Sequence, residues 1–563
     1  MKNKLGCIAL AAAVVTGCCD ASEGTRQPGN SAIANPSTDC ESLSGIHVSS
    51  ASIGLPTSGA VLQRATLRPG SDPDGEHCEV IGAISAADPQ APDIRFEVNL
   101  PSRWNGKAVQ FGGGGYDGEL VTGRGAAAMY PTTLASPLKR GYVTLGSDGG
   151  HKASDVGWAL NAEALANFGH EQVKKTHDVA AAIARIRYGS APMRFYFIGN
   201  SQGGHEALDA AARYPADYDG VSATHPAYNA PMLHLASLAV VQAMAADHGI
   251  GWVDPAKHKL VRDLVMSTCD KLDGLADGII SNLPACRATM TITRLRQDIG
   301  SGGVRCVDGT DRGDSCLSDA QLDAIRTITE PYAPGVSIAG VNVFPGWGTL
   351  EGAALDLGRQ NPATSRPDSF FAEIASYTVK YVITRSANED VLRFDPTQWK
   401  DRLQQVGRIM DVSDVDLAPF QAKGGKVLMF HGTADQLIPV RNSEAYYARQ
   451  LARFGKAKLD AFFRFYVIPG FGHGNGVFNA RYDSLTALED WVERGVEPSS
   501  LIAMDENTGA TAGRTRPMCV YGTYARPISS GDDPSLASSF RCVSSSAALL
   551  TTKAAQVVGG ASL

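Results

Sequence analysis

Apolar runs of strand length recur along the chain, and several end abruptly in glycine-rich turns. Phe195-Tyr196-Phe197-Ile198 is an aromatic, apolar run of this kind. It leads into Gly199-Asn200-Ser201-Gln202-Gly203-Gly204-His205, and a helix-patterned stretch follows over 206–214. Lys426-Val427-Leu428-Met429-Phe430 has the pattern of a buried strand and leads into His431-Gly432-Thr433-Ala434-Asp435. Residues 462–468 repeat the pattern and lead into Pro469-Gly470-Phe471-Gly472-His473-Gly474. Residues 93–100, 107–111 and 141–145 are strand-like, 164–188 reads as one long amphipathic helix, and a helix over 482–495 follows His473. Strands alternating with helices predict an α/β fold around a central sheet.

The turns carry candidate chemistry. Residues 199–203 form G-x-S-x-G at a strand-to-helix junction, the sharp turn that exposes a nucleophilic serine, here Ser201. Glycines flank it because strand and helix pack too closely for a Cβ. Asp435, just past its strand, can accept the Nδ1 proton of a histidine and fix its tautomer. His473, in the glycine-rich loop after the last strand, can act as general base. A lone Asp after a strand is usually a turn residue, and a lone His is usually satisfied or solvated. The order Ser, Asp, His, each after a strand, is that of α/β-hydrolases and sets those bland readings aside. The early strand 107–111 ends in Gly112-Gly113-Gly114-Gly115-Tyr116. Such a run lets backbone N–H groups of Gly114 and Gly115 approach a developing oxyanion, with Gln202 supplying another. A surface loop is the plain alternative. A phosphate cradle is disfavoured because no Lys-Ser/Thr follows.

The stretch between Ser201 and Asp435 is far longer than one strand–helix unit needs. The expected organisation is an α/β-hydrolase domain over 40–225 and 421–543, a lid domain inserted at 226–420, and a tail at 544–563. Trp347, Phe370, Phe371 and Tyr377 in the lid are candidates for an acyl pocket, although such residues are more often core. Asp411, Asp414 and Asp416 are the substitutes for Asp435. The lid also holds Cys269-Asp270-Lys271-Leu272-Asp273-Gly274-Leu275-Ala276-Asp277-Gly278-Ile279. Three carboxylates and two glycines make an acidic loop of hard oxygen donors suited to Ca²⁺. The spacing is not that of an EF-hand, and alone it leaves a solvated acidic turn equally open.

The chain has 563 residues, of which 44% are hydrophobic and 19% charged, enough for a large core and more than one ordinary domain. Its net charge is −7 with no basic block, which argues against a nucleic-acid partner. No internal stretch reads as long and apolar enough to span a bilayer. Residues 1–18 differ: a basic start, a short apolar run, then Val15-Thr16-Gly17-Cys18, similar to a bacterial lipobox in which Cys18 would be lipidated. A plain secretory signal is the alternative. Either predicts export, with membrane attachment only through an N-terminal lipid. Cys19 has no assigned role. Residues 19–39 read as a flexible tether. Beyond the leader lie eight cysteines: Cys40, Cys78, Cys269, Cys286, Cys306, Cys316, Cys519 and Cys542. An even number in an exported chain suggests four disulfides, and about 105 pairings are possible. Sequential pairing is expected because each pair closes a local loop.

Taken together, 112–116, 141–151, 199–204, Tyr214-Pro215 with Tyr218-Asp219-Gly220, 269–279, 431–435 and Trp491-Val492-Glu493-Arg494-Gly495 resemble the tannase and feruloyl esterase family. That family also includes mono(2-hydroxyethyl) terephthalate hydrolase. The resemblance covers most of the mature chain. It implies a serine carboxylesterase acting through an acyl-enzyme on small esters of aromatic acids. It implies structural Ca²⁺ held by Asp270, Asp273 and Asp277 with the carbonyls of Leu275 and Ile279, bracketed by Cys269–Cys286, and no organic cofactor. Lactonase or amidase activity on the same triad, or a non-catalytic surface-binding lipoprotein, are the other readings. Relatives carry a cysteine before the nucleophile and another after the histidine, joined as a disulfide. Asn200 and Gly474 stand there in this chain. Asn200 is expected to hydrogen-bond the His473 loop instead.

Overall fold

The computed structural model describes residues 35–353, 357–361 and 367–545. The leader with Cys18, most of the tether and nearly all of the tail lie outside the described residues. The framework is a ten-stranded sheet in the order β1-β2-β3-β4-β6-β5-β7-β8-β9-β10. The strands are β1 (His47–Val48), β2 (Gly59–Arg68), β3 (His77–Ser85), β4 (Ile94–Pro101), β5 (Lys107–Phe111), β6 (Val143–Ser147), β7 (Arg194–Asn200), β8 (Gly220–Thr224), β9 (Lys426–Gly432) and β10 (Phe463–Ile468). β1 to β4 and the β4–β6 pair are antiparallel; β6, β5, β7, β8, β9 and β10 run parallel.

The parallel half is covered on both faces, which is why its strands read as apolar runs rather than alternating ones. Side chains still alternate by face. Phe195, Phe197, Val427 and Met429 pack with Val173, Val179 and Ile183 of the helix Gln172–Tyr188. Tyr196, Ile198, Leu428 and Phe430 pack with Leu485, Leu488 and Trp491 of the helix Ser484–Arg494. The stretch expected as one helix over 164–188 is instead Ala162–Ala166, a wide π-type turn at Asn167–Glu171, then Gln172–Tyr188. The wide turn lets Phe168 reach an aromatic cluster with Tyr116 and Trp158.

Between β8 and β9 the chain leaves the sheet and builds a helical body with its own core, in which Met232, Leu235, Val241, Leu322, Ile325, Trp347 and Phe371 meet. One helix here, Ala230–Gly249, corrects the membrane expectation: it is long and apolar enough to cross a bilayer, with a mean hydropathy of 1.2. Yet 67% of that window is buried inside the protein, so its apolar character serves the core. The eight cysteines pair in sequence order, Cys40–Cys78, Cys269–Cys286, Cys306–Cys316 and Cys519–Cys542. Closing a short loop such as that of Cys269–Cys286 removes unfolded-chain entropy worth about 3 kcal/mol.

Candidate functional site

Ser201 sits between the end of β7 and the helix Gln202–Ala212, which begins four residues earlier than the sequence pattern suggests. Its backbone has φ 63° and ψ −119°. A non-glycine residue held there costs about 1–3 kcal/mol and persists only where its surroundings enforce it. Those surroundings are hydrogen bonds. Ser201 N–H donates to Thr224 O at 3.0 Å, and Ala227 N–H donates to Ser201 O at 3.2 Å. Close packing requires the glycines: a Cβ on Gly199 would lie 2.1 Å from Gly203 O, and one on Gly203 would lie 2.9 Å from Gly112 C.

Asp435 and His473 come from adjacent parallel strands, paired so that Gly432 lies beside Ile468. His473 Nδ1 is 2.9 Å from Asp435 Oδ2. Asp435 Oδ1 accepts the N–H groups of Leu437 at 2.8 Å and Ile438 at 3.0 Å. Burial disfavours the Asp435 charge, but His473 and neighbouring imidazoles outweigh it and hold the carboxyl well below its ordinary range. Burial likewise opposes charge on His473, and the Asp435 carboxylate overcomes it, so the imidazole is more basic than an ordinary histidine. This is the arrangement a general base needs: the tautomer is fixed and the imidazolium is stabilised.

The glycine run lies against the helix Gln202–Ala212. Gly112 N–H donates to Ile198 O at 3.0 Å, and Gly113 N–H donates to Glu206 Oε2 at 3.0 Å. Glu206 faces Asp117, and both carboxyls are buried. Burial raises the pKa of each, and their mutual repulsion raises that of Glu206 further, so the pair retains a proton and braces the loop. Among the described residues, the N–H groups of Gly115 and Gln202 enter no hydrogen bond. Both residues line the same cavity as Ser201. Gly114 does not line it; its carbonyl accepts from Asp117 N–H at 2.9 Å.

That cavity encloses about 530 Å³ with its open mouth. Its wall is largely apolar, from Phe168, Leu233, Phe370, Phe371, Ile374, Leu437 and Ile438. Phe370 and Phe371 therefore reach it. Trp347 does not; it packs on Phe344 and Phe371 in the core of the inserted body. Tyr377 stacks outside it on Trp158 and Tyr381. The polar end holds Tyr116, His234 and Ser237. His234 Nδ1 lies 2.7 Å from Thr378 Oγ1, and burial pushes its pKa down to about 3, so the ring is neutral. None of the described residues lining the cavity carries a charge.

Among the described residues, the side-chain hydrogen bond of Asn200 goes to His225 and not to the His473 loop. β7 and β8 pair Asn200 with Thr224, which aims its side chain at the next residue, His225, whose Nδ1 lies 2.8 Å from Asn200 Oδ1. The His473 loop is held from the Asp435 side. Gly470 N–H donates to Thr433 Oγ1 at 2.9 Å, Ala434 N–H to Phe471 O at 2.9 Å, and His473 N–H to Gln436 Oε1 at 3.4 Å. Gly474 has φ +88°, a region that favours glycine. Asp411, a substitute for Asp435, is buried with its Oδ1 accepting from Ser413 N–H at 2.6 Å. Asp414 lies beside Gly340, and Asp416 pairs with Arg453 at 3.6 Å.

In the acidic loop, Asp273 Oδ1 accepts from Leu275 N–H and Oδ2 from Ser281 N–H, at 3.0 and 2.9 Å. Asp270 Oδ1 accepts from Gly278 N–H at 3.0 Å, and Asp277 pairs with Arg516 at 2.6 Å.

Residues 78–543 match the family model described as tannase and feruloyl esterase. The chain belongs to the tannase and feruloyl esterase family. It is 35% identical over 518 residues to an uncharacterized esterase of Agrobacterium fabrum, covering 89% of this chain and 92% of that one. It is 31% identical over 511 residues to mono(2-hydroxyethyl) terephthalate hydrolase of Piscinibacter sakaiensis, covering 81% and 83%. The crystal structure of feruloyl esterase B from Aspergillus oryzae superposes with a TM-score of 0.72 at 23% identity, over 87% of this chain and 98% of that chain. That likeness bears on the fold. As a member of this family the chain is an esterase, a carboxylic ester hydrolase, with the α/β-hydrolase fold.

Proposed function

We propose that this esterase is a serine hydrolase that cleaves esters of aromatic acids through an acyl-enzyme. The observation that carries the reading is the strained Ser201 turn opening into an apolar cavity whose wall includes Leu437 and Ile438, the same residues that anchor the Asp435–His473 pair. Ser201 Oγ attacks the ester carbonyl while His473 Nε2 takes its proton. The backbone N–H groups of Gln202 and Gly115 stabilise the oxyanion as charge develops. The imidazolium, stabilised by Asp435, then protonates the leaving alcohol. Water deacylates the enzyme by the same route in reverse.

Among the described residues the cavity lining is uncharged and mostly apolar, which suits an aromatic ring, and a phenol can hydrogen-bond at the Tyr116 and His234 end. Purified enzyme assayed on hydroxycinnamate, gallate, terephthalate and aliphatic esters is expected to give higher kcat/KM for the aromatic-acid esters than for the aliphatic ones, by about tenfold or more. The reverse ranking would refute the aromatic-acid reading. Hydrolysis confined to amides or lactones would refute the ester reading.

The acidic loop fits Ca²⁺. Asp273 is buried, and desolvation pushes its carboxyl up to about 6; the Asp270 carboxyl is raised too, by burial first. The buried Asp273 and the half-buried Asp270 and Asp277, with the carbonyls of Leu275 and Ile279, would supply the hard oxygen donors that Ca²⁺ takes, Asp277 exchanging its Arg516 partner for the ion. The ion would supply charge compensation where the helix Pro255–Cys269 ends. Chelation is expected to lower the melting temperature by several degrees while initial turnover at low temperature changes little, because the metal binds only the folded state. Asp273→Ala is expected to melt lower and to be indifferent to chelator. Elemental analysis finding no calcium in undialysed protein would overturn the site. Four disulfides support export, and the lipobox reading of Cys18 is tested by mass spectrometry of the mature N-terminus.

A further inference from the structure

His225 follows β8 directly and is fully buried. Its backbone has φ +42°, a left-handed conformation rare for a non-glycine residue. Its N–H donates to Phe430 O at 2.9 Å, which locks the residue between β8 and β9. The ring is placed as firmly as the backbone. Nδ1 lies 2.8 Å from the Asn200 side-chain amide, one residue before the nucleophile. Nε2 lies 4.0 Å from Asp435 Oδ2, the oxygen that His473 also uses. The His225 ring centroid is 5.3 Å from that of His473. Nε2 has no hydrogen-bond partner and is shut off from solvent.

We propose that His225 is a positioning residue for the acid of the triad, linking the Ser201 turn through Asn200 to Asp435. The proposal rests on the serine-esterase reading above. Two tautomers are available to a neutral ring. With the proton on Nδ1, donated to Asn200 Oδ1, Nε2 turns a lone pair toward a carboxylate, and the contact is repulsive. With the proton on Nε2, the ring presents N–H to Asp435, and the Asn200 amide, turned end for end, donates its NH2 to Nδ1. The two amide orientations have the same shape, and the hydrogen-bond network decides between them. Only the second turns a donor toward the Asp435 carboxylate while keeping the contact to Asn200. Burial, opposed by Asp435 and reinforced by His431 and His473, keeps His225 far below the ordinary histidine pKa, so the ring stays neutral through the working range. At 4.0 Å the interaction is longer than a hydrogen bond and acts as a charge–dipole contact that tightens when substrate orders the site.

Three imidazoles face Asp435: His473, His225 and His431. His431 Nε2 is 3.5 Å from Oδ2 and 2.8 Å from Ile438 O, its Nδ1 is 2.8 Å from Ser443 Oγ, and it also holds the Asp435 carboxyl down. His431 and His225 thus both compete with His473 for the same oxygen, and of the two His225 is the one that also reaches the Ser201 turn through Asn200. Drawing charge from that oxygen lowers the basicity that Asp435 lends to His473. Without His225, the Asp435 charge falls more fully on His473, the imidazolium is favoured, and the acid limb of kcat/KM moves to higher pH.

The test uses His225→Leu and His225→Gln in the full-length enzyme. Leucine is expected to lower kcat by about tenfold with KM nearly unchanged, and to move the acid limb up by roughly half to one pH unit. Glutamine, whose amide N–H can occupy the Nε2 position, is expected to keep the parental limb. A His225→Leu enzyme with the parental limb, or glutamine behaving as leucine does, would overturn the proposal. If neither variant folds, nitrogen NMR of the parent enzyme labelled at histidine decides: Nε2–H on His225 supports the link, Nδ1–H refutes it. An active esterase with Nδ1–H on His225 would sink this link alone, whereas an active Ser201→Ala enzyme would sink the serine reading beneath it.

Discussion

Ser201→Ala is expected to yield a folded protein whose turnover of every ester is lower by about 10⁶-fold. On the proposed mechanism the oxygen that forms the acyl bond is gone. Stability is expected to stay within about 0.5 kcal/mol, because the Ser201 side chain makes no capping hydrogen bond to its helix. The strain at φ 63° belongs to the backbone, and alanine inherits it unchanged. Steady-state kinetics and a thermal melt on the same preparation read both halves. Near-parental turnover would remove Ser201 from the chemistry.

Asp435→Asn is expected to lower turnover by up to about 10⁴-fold with the fold intact. The geometry says how. Oδ1 is fixed as an acceptor by the N–H groups of Leu437 and Ile438, so the new amide oxygen must stay there. The NH2 is thereby forced to where Oδ2 met His473. It donates to Nδ1, places the histidine proton on Nε2, and leaves no lone pair to take the serine proton. The pH profile supplies an independent check. With the carboxylate gone, burial alone acts on His473, so its pKa falls and the acid limb moves to lower pH, opposite to the shift expected for His225→Leu. Activity equal to the parent would point to another acid.

The Ser, Asp and His positions were legible because β7, β9 and β10 lie in the parallel half of the sheet. Strands covered on both faces cannot hide polar residues, so they stand out as apolar runs ending in their functional turns. β8 lies among them and is fully buried, yet it carries no such signal, because Gly220-Val221-Ser222-Ala223-Thr224 is made of small residues rather than large apolar ones. β2, in the antiparallel half, is hidden for another reason: it mixes buried with exposed positions, and a bulge between Leu62 and Arg64 breaks its alternation. The helix start at Gln202 was hidden by Gly203 and Gly204, poor helix formers that are kept for close packing. His225 carries no local signal. A histidine between Thr224 and Pro226 gains meaning only once three strands are in register and Asn200, Phe430 and Asp435 surround it. Gly474 and Asn200 were readable as departures from relatives, but what Asn200 contacts depended on the β7–β8 register.

Leu437 and Ile438 hold the acid through their N–H groups and form the cavity wall with their side chains. The rest of the apolar wall, with Leu233, Phe370 and Phe371, comes from the inserted body, which holds none of Ser201, Asp435 and His473. Drift in substrate preference during evolution, and redesign of it in the laboratory, therefore has one permissive side and one guarded side. Changes on the inserted body's part of the wall would reshape the proposed acyl site and leave Asp435 alone. Changes at Leu437 or Ile438 that shift the backbone move Asp435 with it, so selection for a new acyl group there acts against the rate for all of them.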